Sequence, residues 1–546
     1  MKRGNTIGRY LIGRLSRQGV GHIFGIPGDY ILRFFDLLEE SRIETVITTR
    51  EDGAGFAADA YARIRGIGAV CVTYCVGGFN VCNPIAGAFA EKSPVIVISG
   101  SPGIQERVRD PLLHHKVRDF STQKDVFDKI TIASTVLDDP RTAAAEIDRV
   151  IDAALRYKRP AYIEIPRDMT DAEIDTTRKP SERVIERSDP ESLREALGEA
   201  SRMVNESRRP VILADVEIHR FGLQPYLVRL ADKTRIPVAA TLLGKSVISE
   251  KHPGYIGIYE GAMGREEVRL FVESSDCVIM LGTVLTDINM GIFTAKLDRK
   301  NCIEATSEKI SIRHHHFEDV LFGDFLKGLI RSPLRSQPRR AHPNPAAFMT
   351  VNPARPNTPV RVTRCFQRLN SFLKDDMVVI ADIGDALFAA SDLVIHRRTE
   401  FLSPAYYTSM GFAVPAALGA QLANPKLRPL VLVGDGAFQM TGMELSTIQR
   451  LGLNPIVMIL NNRGFATERQ IQDGPYNDVT EWAYHRLPEV LGGGRGFRVK
   501  DEVGFENALR ASHQNRKSFS LINVILDKYD RSIAMERIAK RLARKI

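Results

Sequence analysis

Short runs of consecutive apolar residues alternate along this chain with longer stretches in which apolar positions recur every three or four residues. Such a pattern predicts buried strands separated by helices. In the first part of the chain it predicts strands over 21–25, 43–49, 68–75 and 94–100, with Ala-rich helical stretches such as 54–63 between them and a closing strand near 159–168. A second group covers 210–218, 236–244 and 277–285, and a third includes 430–433 and 455–460, joined by a short helix over 442–451. Strands with no polar face belong to parallel sheets covered on both sides. The expected fold is therefore α/β, with three doubly wound parallel-sheet domains over 1–175, 189–331 and 360–546. The polar stretch 176–188 separates the first two, and 332–359, rich in Pro, Arg and Asn, reads as a linker.

Composition narrows the class. A chain of 546 residues is too long for one core. No apolar run reaches the ~18 residues of a membrane span, and the start lacks a signal peptide's apolar core, so a cytoplasmic protein without a membrane partner is expected. The six cysteines sit mostly within apolar runs and form no CxxC pair, as core thiols do. The net charge of +9 gathers in SPLRSQPRRAHP (332–343) and in ERIAKRLARKI (536–546). Neither stretch interleaves aromatics with its basic residues, so they read as a linker and a solvated terminal helix, and no nucleic-acid partner is expected. HHH at 314–316 reads as a polar surface run, because three consecutive residues do not easily face one ion. The middle segment offers few titratable residues at strand ends, which favours a structural role.

The third segment carries a sharper signal. GDGAFQMT (434–441) follows the apolar run 430–433, and the run 455–460 ends in Asn461 and Asn462, the latter 27 positions after Asp435. Strand, helix and strand at this spacing form a right-handed βαβ unit with neighbouring parallel strands, so Asp435 and Asn462 finish side by side at the sheet's carboxyl edge, where ligands bind. A carboxylate and an amide oxygen there suit Mg²⁺ shared with phosphates. Gly434 and Gly436 let the backbone approach a phosphate, and the following helix presents free N–H groups. GDG alone is also a common strand-to-helix turn. Four further features stand at strand ends or loops: Glu51 after the strand VITTR, Asp29 in GIPGD, His114 and His115 in LLHH, and Glu468 in RGFATE. Singly, each also suits a cap, a turn or a solvated loop.

Together, GIPGDY, the FAADAYAR helix after Glu51, AEKSPVIVISGSPG, LLHH and the GDG-to-NN spacing resemble the thiamine-diphosphate-dependent 2-oxo acid decarboxylases, the family of pyruvate, indolepyruvate and phenylpyruvate decarboxylases. The resemblance spans nearly the whole chain. It implies pyrimidine-binding, central and diphosphate-binding domains, with thiamine diphosphate and Mg²⁺ as cofactors. It also implies that Asp435, the side chain of Asn462 and the carbonyl of Gly464 hold the metal. Met410, in YYTSMGF, would support the bent cofactor, with backbone groups near Thr408 and Met410 on its aminopyrimidine. Gly434, Gly436, Ala437 and Phe465 would line the cofactor site, and Asp385, where many relatives carry a hydroxyl residue, would lie near the diphosphate. Glu51 would bond a pyrimidine nitrogen and make the cofactor's own amine the base. Asp29, His114, His115 and Glu468 would relay protons around the substrate.

The family's active sites are shared between subunits, so the resemblance also implies a dimer, paired into a tetramer. GFATE departs from the common GYT-hydrophobic-Glu pattern at Phe465 and Thr467, and VGGFN (76–80) is similar to the phenylpyruvate subgroup. Both differences favour an aromatic or long-chain 2-oxo acid over pyruvate, with a pyruvate decarboxylase, an acyloin- or acetolactate-type carboligase and an inactive cofactor-binding protein as the alternatives.

Overall fold

The computed structural model describes residues 5–174, 187–345, 352–396 and 400–542. Most of the 176–188 separator, the middle of the 332–359 linker and the last residues of the basic tail lie outside them. Three sheets account for the strands. The first runs Glu44–Ile47, His22–Gly25, Gly68–Val72, Val95–Ser101, Ala161–Pro166, Ser134–Val136, with every pair parallel. The third runs Glu400–Leu402, Met377–Ala381, Arg428–Gly434, Ile456–Asn461, Ser520–Ile525, Arg495–Val499, again all parallel. The central sheet has five parallel strands, Tyr255–Ile258, Val238–Ala240, Pro210–Ala214, Cys277–Leu281 and Cys302–Ala305. It differs from the expected all-parallel sheet at one edge, where Ile310–Ile312 and His315–Phe317 add an antiparallel meander. His315 and His316 stand exposed there, bonded to Glu199 and Ser311, as a polar surface run would be.

Helices cover both faces, so inner strands such as Val95–Ser101 and Pro210–Ala214 are buried along their whole length. One helix pair joins the first unit to the third. Glu51–Arg65 and Ala413–Ala423 are rich in Ala and Gly, and they cross so closely that a Cβ on Gly419 would lie 1.9 Å from the carbonyl oxygen of Ala57. Beside this crossing the buried Arg63 guanidinium pairs with Asp59 at 2.7 Å and Glu91 at 2.9 Å. A charge this deep is tolerable only when paired on all sides.

Several sequence-based bounds need correction. The strand expected over 68–75 ends at Val72, and Val76–Asn80 coils into a short helix behind Cys75, whose φ is 49°. The strand over 210–218 ends at Ala214 and gives way to the helix Val216–Arg220. Asp215, a titratable residue at a central strand end, is buried and accepts the N–H groups of Val216 and Val284, a loop-holding task. The helix expected over 442–451 begins at Asp435 and runs through Thr441, followed by the 3-10 turn Gly442–Glu444 and the helix Leu445–Arg450. The terminal helix Ile533–Leu542 is docked, with Ala534, Met535 and Ile538 buried against the third sheet's domain.

Candidate active site

Parallel pairing sets Gly434 opposite Leu460, so the residues after them leave the same sheet edge together. Asp435 and Asn462 both line a cavity of about 240 Å³ at that edge, and both are almost fully buried. Oδ1 of Asp435 accepts the Gly436 N–H at 2.9 Å, while Oδ2 is buried with no partner among the described residues. Burial pushes this carboxyl up to about 6, against the pull of the Gly436, Arg463 and Gly464 N–H groups. Of the asparagine pair only Asn462 faces the cavity; Asn461 turns into the sheet and donates to Oδ1 of Asn523 at 3.0 Å. Gly434 has open space around it, as a phosphate cradle requires. Gly436 is needed for a further reason: a Cβ there would meet the Phe465 ring at 2.4 Å.

The same cavity collects Asp385, Thr408, Met410, Ala437, Gly464 and Glu468. Thr408 holds a left-handed φ of 59° with its N–H on the Pro404 carbonyl at 2.9 Å. Met410 is fixed from the next residues on. Asp382, at the end of Met377–Ala381, accepts the N–H groups of Gly411 at 3.1 Å and Ala413 at 2.9 Å, and the Thr441 hydroxyl closes on the Gly411 carbonyl. Sequence reasoning passed over Asp382, although an acid directly after a buried strand is the signal that exposed Asp435. Both oxygens of Asp385 are taken by Ser532, through its N–H at 2.8 Å and its hydroxyl, so this carboxylate anchors the terminal helix at the cavity wall. Burial pushes Asp382 and Asp385 each up to about 6.

A second group of acids and imidazoles stands at the carboxyl edge of the first sheet. Glu51 opens the helix Glu51–Arg65, and its Oε2 accepts the Asn80 amide at 3.0 Å. Asp29 Oδ2 lies 2.8 Å from His114 Nε2, and His114 stacks on Tyr30 with ring centroids 4.7 Å apart. His115 sits at φ 67° with a buried, unpartnered Nδ1. Polar atoms of Asp29, His114 and His115 all lie within 4.8 Å of one another. Among the described residues, none from the first sheet's unit lines the cavity that holds Asp435 and Glu468.

Three family models match the chain in order: the N-terminal TPP binding domain of thiamine pyrophosphate enzymes over 5–125, their central domain over 197–329 and their C-terminal TPP binding domain over 382–524. The chain is 36% identical over 523 residues to an indole-3-pyruvate decarboxylase of Azospirillum brasilense, covering 94% of each protein. It is 33% identical to a probable pyruvate decarboxylase of Schizosaccharomyces pombe, covering 97% of this chain and 94% of that one. An alpha-keto-acid decarboxylase of Mycobacterium tuberculosis is also 33% identical, with 96% of this chain and 95% of the relative covered. The chain belongs to the thiamine-diphosphate-dependent 2-oxo acid decarboxylases.

In this decarboxylase the residues present fit the family's cofactor. An acid that burial makes reluctant to ionise, with one oxygen left without a hydrogen-bond donor, gains most from a cation. Asn462 and Gly464 line the same cavity, and an amide oxygen and a backbone carbonyl are hard donors of the kind that suit Mg²⁺. Open space at Gly434 and the free N–H end of the helix from Asp435 suit the diphosphate. Around them Ile288, Ile383, Phe388, Leu460 and Leu526 give the cavity an apolar wall, interrupted by Thr467 and Asp530. No helix among the described residues is long and apolar enough to cross a membrane.

Proposed function

We propose that this decarboxylase converts an aromatic or long-chain 2-oxo acid, such as phenylpyruvate or indolepyruvate, to an aldehyde and carbon dioxide, at sites shared between two copies of the chain. One observation carries the reading: the metal-diphosphate residues and the Glu51 acid stand at the carboxyl edges of two different sheets, and the cavity built by the first set contains none of the second. A second copy would bring its Glu51, Asp29, His114 and His115 to this cavity, which supports a dimer; its pairing into a tetramer belongs to the same proposal.

Bound thiamine diphosphate supplies an acidic C–H that yields a carbon nucleophile, together with a sink for the electron pair left when carbon dioxide departs. Asp435, Asn462 and the Gly464 carbonyl hold Mg²⁺ on the diphosphate. Gly434, Gly436, Ala437 and Phe465 line its path, and Met410 with the Thr408 turn supports the ring end. Asn80 occupies Oε2 of Glu51 and leaves Oε1 without a partner among the described residues, available to a ring nitrogen of the pyrimidine for proton exchange. Asp29 orients the His114 imidazole through the 2.8 Å bond, and His115 stands next to it. These groups and Glu468 carry the proton that the product carbon needs, and general acid action of this kind contributes ~10² to 10⁴ in rate. The apolar wall from Ile288 to Leu526 would receive the substrate's side chain.

The division of the chain at 1–175, 189–331, 332–359 and 360–546 belongs to the same reading, supported by one sheet in each of the three larger parts. So does action in the cytoplasm, supported by six cysteines that are all free thiols. The test is the ratio of kcat/KM values for phenylpyruvate, indolepyruvate, 2-oxohexanoate and pyruvate with thiamine diphosphate and Mg²⁺ in excess. Preference for the larger acids is expected, and a clear preference for pyruvate overturns the substrate assignment.

A further inference from the structure

Glu444 is a carboxylate that the chemistry above does not use, and it is buried where the third sheet's unit meets the first. Its Oε1 accepts the Thr49 N–H at 2.9 Å, the Thr49 hydroxyl and the Arg50 N–H at 3.3 Å; its Oε2 accepts the Thr447 hydroxyl at 2.9 Å. Thr49 and Arg50 are the two residues before Glu51. Arg50, the residue in front of the helix Glu51–Arg65, has no side-chain cap, so the extended backbone at this point is held from outside. The Thr48 hydroxyl on the Arg50 carbonyl at 2.9 Å is the local support. Gly53 completes the seat, because a Cβ there would lie 2.6 Å from Oε1 of Glu444.

Glu444 also stands at a particular place in its own unit. The helical run that begins at Asp435 passes through Thr441 and the turn Gly442–Glu444 without a break. One end of this run carries the metal ligand of the chain's own cavity. Further along it, Glu444 grips the turn that carries Glu51.

We propose that Glu444 is the positioning residue for Glu51, tying the acid that one subunit lends its partner to the segment that holds the metal in its own site. The inference rests on the proposed role of Glu51. A side chain serving only to clasp two domains would govern stability and leave the cofactor's proton chemistry unchanged. A positioning residue governs the rate at which the acidic C–H of bound thiamine diphosphate exchanges for deuterium.

The experiment measures that exchange in the holoenzyme with Mg²⁺, together with kcat and cofactor affinity, for Glu444→Ala, Glu444→Gln, Thr49→Val and Glu51→Gln. Glu444→Ala is expected to slow exchange and kcat in parallel by about 10²-fold, the usual cost of a catalytic group displaced by an ångström. Glu444→Gln keeps the oxygen that accepts from Thr49 and Arg50 and restores most of the rate. Thr49→Val removes a single hydroxyl bond and slows exchange by ~3- to 10-fold. Exchange within two-fold of wild type in folded Glu444→Ala, beside an inactive Glu51→Gln, overturns the inference alone. If the alanine variant does not fold, unchanged exchange in Thr49→Val has the same force. Normal exchange in Glu51→Gln overturns the role of Glu51 and this inference with it.

Discussion

Ser532 donates both its backbone N–H, at 2.8 Å, and its hydroxyl to the carboxylate of Asp385. One partner opens the helix Asp385–Ala390 at the cavity wall, and the other immediately precedes the terminal helix Ile533–Leu542. The bond therefore fixes the last helix over the site. Asp385→Ala leaves two donors unpaired in a buried place, and Ser532→Ala leaves one oxygen of the buried Asp385 and the Met535 N–H without their partner, so each is expected to cost about 1–3 kcal/mol. Amide hydrogen exchange should show protection lost first across the terminal helix in Asp385→Ala, and uniform protection there would refute the anchoring role.

Three buried acids around the cavity contribute to the stability of the apoprotein with a pH dependence opposite to that of a paired surface carboxylate. Asp382, Asp385 and Asp435 are each pushed up to about 6 by burial, whereas an unfolded aspartate titrates near ~3.9. Between these values the folded chain holds more protons than the unfolded one, so the contribution of these groups is fully present below pH ~4 and is lost as pH rises through about 6. Metal binding runs the other way, because it needs Asp435 ionised. The rise in Tm on adding Mg²⁺ and thiamine diphosphate should grow from pH 5 to pH 7, and cofactor affinity should fall roughly tenfold per pH unit below about 6. Asp435→Asn should abolish this dependence in calorimetric titrations.

Shared sites predict complementation between two inactive proteins. Glu51→Gln lacks the acid it lends, and Asp435→Ala lacks the metal site it keeps. Co-expressed or exchanged subunits form a heterodimer with one site carrying both native residues. Activity should return on mixing, up to about a quarter of wild type if subunits pair at random, and sedimentation should show no active monomer. Failure to recover activity after demonstrated subunit exchange would place Glu51 and Asp435 of one chain in the same site.

Thr467 provides the test of substrate width. Its hydroxyl is buried with no partner among the described residues and lies 3.5 Å from where a Cβ on Gly384 would stand. Thr467→Ile adds bulk to the cavity wall and removes that unpaired oxygen. It should lower kcat/KM on phenylpyruvate by ~10- to 200-fold relative to pyruvate, the range for a methylene-scale change in an apolar pocket. An unchanged ratio would remove Thr467 from the substrate's path.

The strands were legible because a parallel strand buried on both faces carries mostly apolar residues, as Pro210–Ala214 and the Val95–Ile98 half of Val95–Ser101 do. The pairing of Asp435 with Asn462 was legible for a related reason, since a right-handed crossover puts consecutive parallel strands beside each other. The start of the helix at Asp435 was hidden by Gly434 and Gly436, whose lack of side chains erases periodicity; Gly436 is there because the Phe465 ring packs against it. The terminal helix looked solvated because its basic residues dominate the count, although Ala534, Met535 and Ile538 form a buried stripe.

Local pattern determined the α/β class, the family, and the set of oxygen donors and imidazoles available to the chemistry. Tertiary structure alone decided which of them meet. Asp382 acquires its meaning from the N–H groups of Gly411 and Ala413, Asp385 from Ser532, and Glu444 from Thr49 and Arg50, partners separated by up to 395 residues in the chain. A buried carboxylate takes its task from the donors that close around it, and those donors become its neighbours only when separate sheets have packed together.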